Sequence, residues 1–505
     1  MSESPKPADS QDEEGAPLYP QRPRRRYWGR RLLIVFVVMP FVALVLLLSA
    51  RTYFRHTGQR ALNAEMARLD AEDPGWRFDD LMAAREKAAP APGENSAAIV
   101  RMVRELMPAE WHEWTKTQSA QVDAGPLPLN VRQPFADLTR DADLAASTRA
   151  ARDLGLTLRN HPRGHHVIVV GDRPFVESLE ETQGTRVVAH LMKTDALLAA
   201  QSGDAVRGLR AAHAILNAGR SIGDEPTLIS TLVHFACDSI TTEVAMRVLA
   251  LNDATGSLTE LAALQTALYV ELNEPVLLNG LRGERAVVNH FFEGINTGRV
   301  TADTVAGMGD MKPGPEVQSN LYFTRTFLPE DQRRFLTVMS EAIAVATGPY
   351  QDRITRTQQI EADFRANRDI RYPWHGLMVP AISKLLEADT RCRAELLSAA
   401  TLIACERFRL TRGRWPQSLA ELPKDLLPTI PTDPYTGEPM RFAKLPDGIT
   451  VYAAAPKGIS GLDRKRLTNP LGGTEVGWRL YDPASRNRPP LPKEKPDAPG
   501  PNGMP

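Results

Sequence analysis

The chain has 505 residues, 42% of them hydrophobic, with 61 basic and 61 acidic side chains. That length and apolar content bury a large core, and the balanced charge argues against a dedicated nucleic-acid binder, whose phosphate contacts need a basic excess. Three cysteines, Cys237, Cys392 and Cys405, are too few for a disulfide framework and read as buried free thiols.

Residues 1–26 combine Pro5, Pro7, Pro17, Pro20 and Pro23 with acidic and then basic clusters, a composition that predicts a disordered cytoplasmic tail. Residues 32–50 then run without a charge. At about 1.5 Å per residue, a helix of this length crosses a hydrocarbon layer roughly 30 Å thick. Arg22, Arg24, Arg25, Arg26, Arg30 and Arg31 precede the segment, while Arg51, Arg55 and Arg60 follow it. The excess before it places the N-terminus in the cytoplasm. Tyr27, Trp28, Tyr53 and Phe54 suit the two headgroup levels. Leu48 stands where a signal-peptidase site needs a small residue, so 27–55 reads as an uncleaved signal anchor. Pro40 is compatible with a membrane helix if local adjustments satisfy the freed carbonyl. The expected location is the bacterial inner membrane, crossed once, with the bulk of the chain periplasmic and the lipid bilayer as one partner.

From 56 to 410 the dominant signal is helical. Val187, Leu191, Thr194 and Leu198 fall on one helix face, Gln201-Ser202-Gly203-Asp204 supplies a stop and a new cap, and Val206, Leu209, His213 and Leu216 continue the pattern. The pair predicts a helical hairpin of the tetratricopeptide-like kind, without a sustained repeat, so the expected body is an irregular helical stack or bundle. A third helix is expected after Asp224 as N-cap and Pro226 in the first turn, with the stripe Ile229, Val233, Ala236, Ile240, Val244 and Val248. Ser257 and Glu260 have the spacing of a capping box. Pro329-Glu330-Asp331 opens another helix, and a long one is expected over 380–412. Residues 156–159 and 167–170 read as a β-hairpin around His161-Pro162-Arg163-Gly164.

The character changes at Gly413. Arg412-Gly413-Arg414-Trp415-Pro416 stops the helix, and Asp433-Pro434-Tyr435-Thr436-Gly437-Glu438-Pro439 is turn chemistry. Short strands follow over 440–445, 449–454 and 477–481. This cassette, roughly 395–482, resembles the C-terminal part of type II secretion major pseudopilins, and the tail of single-pass bacterial membrane proteins that carry it after a helical region. The resemblance implies a small α+β domain over 411–482 with a short antiparallel sheet. Those proteins place a processing signal before the hydrophobic helix, where this chain has Arg30 and Arg31, and an acidic calcium loop where residues 457–463 offer one carboxylate. The segment's fold is therefore carried over without its metal. Residues 483–505 hold eight prolines and read as a second disordered tail.

Several side chains have spacings that chemistry uses. His161, His165 and His166 form the densest imidazole cluster, three nitrogens that a loop can offer to zinc; with no cysteine nearby and no His-Glu-x-x-His helix, a polar loop without cofactor is the plainer expectation. Trp111-His112-Glu113-Trp114 lacks the second histidine of such a helix. His234 and Asp238 lie one turn apart, off the apolar stripe, a pairing used in acid–base catalysis and equally by ordinary surface pairs. Glu284, His290 and Glu293 are similar, the last two sharing a helix face, and His213 reads as a core histidine. No nucleophile elbow, phosphate loop, dinucleotide fingerprint or Cys-x-x-Cys is present. The expected protein is mainly α, a membrane-anchored exoplasmic scaffold offering a groove to a protein or cell-envelope partner. A component of a secretion or pilus-like assembly and a metal- or histidine-dependent enzyme are the alternatives. A pure scaffold predicts no cluster of perturbed titratable groups in a pocket.

Overall fold

The computed structural model describes residues 29, 32, 34–111, 128–133, 143, 144, 146–168, 179–301, 304, 325–369, 371–454 and 475–490. Over these residues the protein is mainly α-helical with one three-stranded antiparallel sheet near the C-terminus, as the patterning predicts. The tail 1–26, the residues 112–114, the last two residues of the expected second strand at 169–170, the loop 457–463 and the segment 491–505 lie outside the described residues.

The chain divides into two compact units, Met1–Thr57 and Gly58–Pro505. In the first, a π-helical turn, Ile34–Val38, leads into helix α1, Met39–Glu72, which continues into the second unit. Together they make a helix long and apolar enough to cross a membrane. Its apolar side chains are exposed, Phe36 at 71% and Leu46 at 65%, the opposite of a soluble core helix. Pro40 sits in the first turn of α1, where a missing N–H removes no α-helical bond, and the wider π turn precedes it.

The second unit begins with the end of α1 and the short helices α2 (Phe78–Lys87), α3 (Ser96–Glu105) and α4 (Arg149–Gly155). Helices α5 (Leu179–Gln201) and α6 (Ala205–Arg220) form the expected hairpin. Asp204 caps α6 by accepting from the Arg207 N–H at 2.9 Å, and Gly203 turns the chain at φ +87°. Helix α7 (Leu228–Leu251) packs on both arms of the hairpin on one side and on α13 (Ile382–Arg412) on the other. Seventeen of its 24 residues are buried, so it is a central helix and no single stripe describes it. Ile229, placed on the apolar stripe by periodicity, is exposed, while His234 and Asp238 are buried. Helices α8 (Leu258–Glu271), α9 (Val276–Thr297), α10 (Leu328–Ala346), α11 (Tyr350–Ala366) and α12 (Pro373–Met378) complete the described helices.

Helix α13 ends at Gly413 in the left-handed region, φ +76°, the C-cap that glycine favours. Strands β1 (Arg441–Leu445), β2 (Gly448–Ala454) and β3 (Glu475–Tyr481) follow in the order β1-β2-β3, with Phe442 opposite Val451 and Val451 opposite Trp478. The sheet lies on α13 and touches α7. Ser398 of α13 fastens it, donating to the Val451 carbonyl at 2.6 Å and accepting from the Trp478 N–H at 2.8 Å. Helices and sheet share one core cluster within the second unit.

Four local expectations are corrected. Residues 156–160 are a 3₁₀ helix rather than a strand; Leu158 is wholly buried, and the Leu158 and Arg159 carbonyls accept from Asn217 Nδ2. Short apolar runs carry no period long enough to separate the two structures. Thr227, not Asp224, caps α7, accepting from the Ser230 N–H, while Asp224 takes a bond from Asn279. Ser257 makes no side-chain cap, because Glu260 turns away to Arg159 and Arg210. Residues 483–490 are ordered against the body: Arg486 is buried and doubly bonded to Glu406 at 2.8 and 2.9 Å. A buried ion pair holds a segment whose proline content alone predicts none.

Candidate functional site

A cleft of about 230 Å³ opens where the ends of several helices meet: the C-termini of α2 and α6, the N-termini of α7 and α9, and the loop 162–165. Its walls depend on close helix approach. A Cβ on Gly280 would stand 2.0 Å from Thr231 Oγ1, and one on Gly283 2.4 Å from Pro226 Cα, so only glycine brings α9 against the start of α7 here. Asn95 pins the loop on the opposite side, accepting from the His165 N–H at 3.0 Å and donating to its carbonyl at 2.7 Å.

The floor is a buried charge cluster. Arg220, the last residue of α6, donates through Nε to Glu271 Oε2 at 2.5 Å and spends its other nitrogens on Asn217 Oδ1 and the Ala267 carbonyl. Glu271, the last residue of α8, faces the negative end of its own helix, where a carboxylate is disfavoured. Two cations offset this, Arg220 and His234, whose Nε2 lies 2.8 Å from Glu271 Oε1. Asp238, one turn along α7, keeps its Oδ1 4.0 Å from the same Nε2 and accepts from Cys392 Sγ at 3.6 Å through Oδ2. Asp238 Oδ1 is buried without a hydrogen-bond partner.

The pairing expected from spacing, His234 with Asp238, is thus corrected: Glu271 on another helix is the nearer partner, and the group is buried rather than on the surface. Burial opposes charge on His234, but the Glu271 and Asp238 carboxylates outweigh it and hold the ring up at about 9. Burial, then the charge on Glu271, pushes Asp238 above the usual carboxylate range. Burial opposes the charge on Glu271 as well, yet His234 and Arg220 hold it low. Without a bound cation, the short contact to Glu271 favours the protonated ring of His234.

Arg85 forms part of the cleft wall and is 7% exposed. Its Nη1 donates to the His166 carbonyl at 2.5 Å, while Nε and Nη2, which point the same way from the guanidinium, are buried without a hydrogen-bond partner. Burial lowers its affinity for the proton, and Glu225 and Asp224 partly restore it.

The remaining sequence candidates are dispersed. His161 Nδ1 bonds the Thr157 carbonyl at 2.9 Å, His165 Nε2 reaches Glu86 at 3.0 Å, and His166 is buried with Nε2 3.6 Å from Glu225. The three imidazoles thus take separate partners, with His165 alone among them lining the cleft. Glu284 accepts from the Leu228 N–H at 3.1 Å and so serves the N-terminus of α7. His290 bonds Arg299 and Glu293 bonds Asn289, not each other. The half-buried ring of His213 is pushed down to about 4, by burial first and then by Arg220 and Arg159. Spacing missed Arg85 and Arg220, which line the cleft from α2 and α6, and Glu271, which meets His234 from α8; no local pattern marks them. Set against protein-family models, curated proteins and solved structures, the chain matches none.

Proposed function

We propose that this chain is a membrane-anchored, extracytoplasmic helical binding protein whose cleft takes an anionic group of a protein or cell-envelope partner. Arg85 carries the reading. Nε and Nη2 are the face of a guanidinium that grips a carboxylate or phosphate with two parallel bonds, and here that face is buried and unpaired beside a cleft. Leaving such donors without acceptors costs about 1–3 kcal/mol, more for a charged group, which an anionic ligand recovers. The cluster of perturbed groups beneath it favours a specific ligand over a featureless scaffold.

Thermal unfolding of the full-length protein in lipid nanodiscs, with added inorganic phosphate or succinate, tests the cleft. A bound anion raises the melting temperature with concentration, and Arg85→Gln abolishes the rise. No rise with either anion, or an undiminished rise in Arg85→Gln, refutes the assignment. The anchor and its orientation rest on the apolar helix and the arginines before it. Because all three native cysteines are buried, Thr255→Cys on the exposed α7–α8 turn supplies a clean reporter. An impermeant maleimide labels it in intact spheroplasts if the body is outside; labelling only after lysis reverses the orientation.

A further inference from the structure

We propose that His234, Asp238 and Glu271 form a binding site for one first-row divalent cation, zinc or a near relative, at the floor of the cleft. Each side chain offers one ligand atom, and the three atoms lie within 4.8 Å of one another. A tetrahedral zinc with bonds of about 2.0–2.2 Å sets its ligand atoms roughly 3.3–3.6 Å apart. Nε2 of His234 is 2.8 Å from Glu271 Oε1 and 4.0 Å from Asp238 Oδ1, values on either side of that spacing. Seating the ion therefore asks His234 to move away from Glu271 and toward Asp238 by about half an ångström each, with the two carboxylate oxygens already within 4.8 Å of each other.

Asp238 Oδ1 is the independent sign. It is fully enclosed, accepts no hydrogen bond and points into this group, while natural proteins rarely leave a buried carboxylate oxygen in that state. The outer oxygens are already engaged as they would be around a metal. Arg220 holds Glu271 Oε2 and the Cys392 thiol holds Asp238 Oδ2, which leaves Oε1 and Oδ1 for the ion. Ligation needs the Nε2 lone pair and both carboxylates ionised, so the cation enters as protons leave. One imidazole and two carboxylates suit zinc, manganese or ferrous iron; three protein ligands leave a position for a further ligand, and of the three His234 lines the cleft. The site stands whether or not the cleft takes an anion at Arg85.

The test uses full-length protein in nanodiscs, stripped with a chelator and titrated with Zn²⁺ by calorimetry and with Co²⁺ by visible absorption. One equivalent binds. Asp238→Asn, which keeps the shape of the side chain, loses more affinity than the roughly 10–100-fold that outer-sphere changes cost. His234→Ala and Glu271→Gln do the same, with far-UV circular dichroism reporting that each is folded. The proposal is overturned if the wild-type protein takes up no stoichiometric ion, or if Asp238→Asn binds as well as wild type. Loss of binding in His161→Ala or His165→Ala, with Asp238→Asn intact, overturns it too by placing the ion in the loop.

Discussion

Burial decides the chemistry of single residues in this protein more than their neighbours in sequence do. Cys237, Cys392 and Cys405 are all enclosed, and burial pushes each thiol above its ordinary value. The thiolate is the reactive form, so none of the three is a nucleophile in the native state. A disulfide reagent such as dithiobis-nitrobenzoate should titrate no thiol in the native protein and three in denaturant; a fast native equivalent would contradict the packing around α7 and α13. Glu284 shows the same rule in reverse. It accepts the Leu228 N–H from across the α7–α9 contact, a cap supplied by another helix. Glu284→Ala should destabilise by about 1–2 kcal/mol, the usual cost of a lost cap, read as a fall in the urea midpoint at unchanged slope.

Among elements, those coded by signals within one turn or one pleat were legible, and those that depend on distant partners were not. The α5–α6 hairpin, the Pro329 helix start, the end of α13 at Gly413 and the three strands all have signals that act within one turn or one pleat. The 3₁₀ segment at 156–160, the cap of α7 and the fate of Glu260 depend on Asn217, Asn279 and Arg210, which lie far along the chain. The candidate site was legible only as His234 and Asp238, because both stand on one helix. Glu271 and Arg220 meet them where α6 and α8 happen to end, which no single period encodes. Turn chemistry in the cassette is a testable case of local coding. Asp433 is buried and accepts from the Tyr435 N–H and the Ala454 N–H, both at 2.8 Å, tying the turn to the edge of β2. Asp433→Ala should cost roughly 2–4 kcal/mol by leaving both donors unsatisfied, against at most about 0.5 kcal/mol at exposed Glu438, measured by chemical denaturation.

For the whole molecule, one buried and two half-buried histidines set an acid limit. His166, His190 and His213 are each pushed down to about 4, by burial first and then by neighbouring arginines or, at His190, by Lys193 ahead of Arg186. Their folded values lie below the ordinary histidine value near 6.5. Their stabilising contribution is thus complete above about pH 6.5 and is lost as pH falls toward 4. Melting temperature should fall across that window with proton uptake on unfolding, and replacing His190 by Gln should flatten the slope; a constant melting temperature from pH 6.5 to 4 would refute the assignment. The buried Arg486–Glu406 pair has a consequence of another kind. Arg488 pairs with Val131, Asn130 donates to the Ser485 carbonyl, and Arg486 reaches the Asn252 carbonyl at the end of α7. Breaking such a buried pair costs about 3–5 kcal/mol, so Arg486→Met should lower stability by that order, while deleting 491–505 leaves every one of these bonds in place. During synthesis, residues 130 and 131 wait for partners made some 350 positions later. The body cannot close this seam until residues 485–488 have emerged, so a copy interrupted before them is left with that surface open.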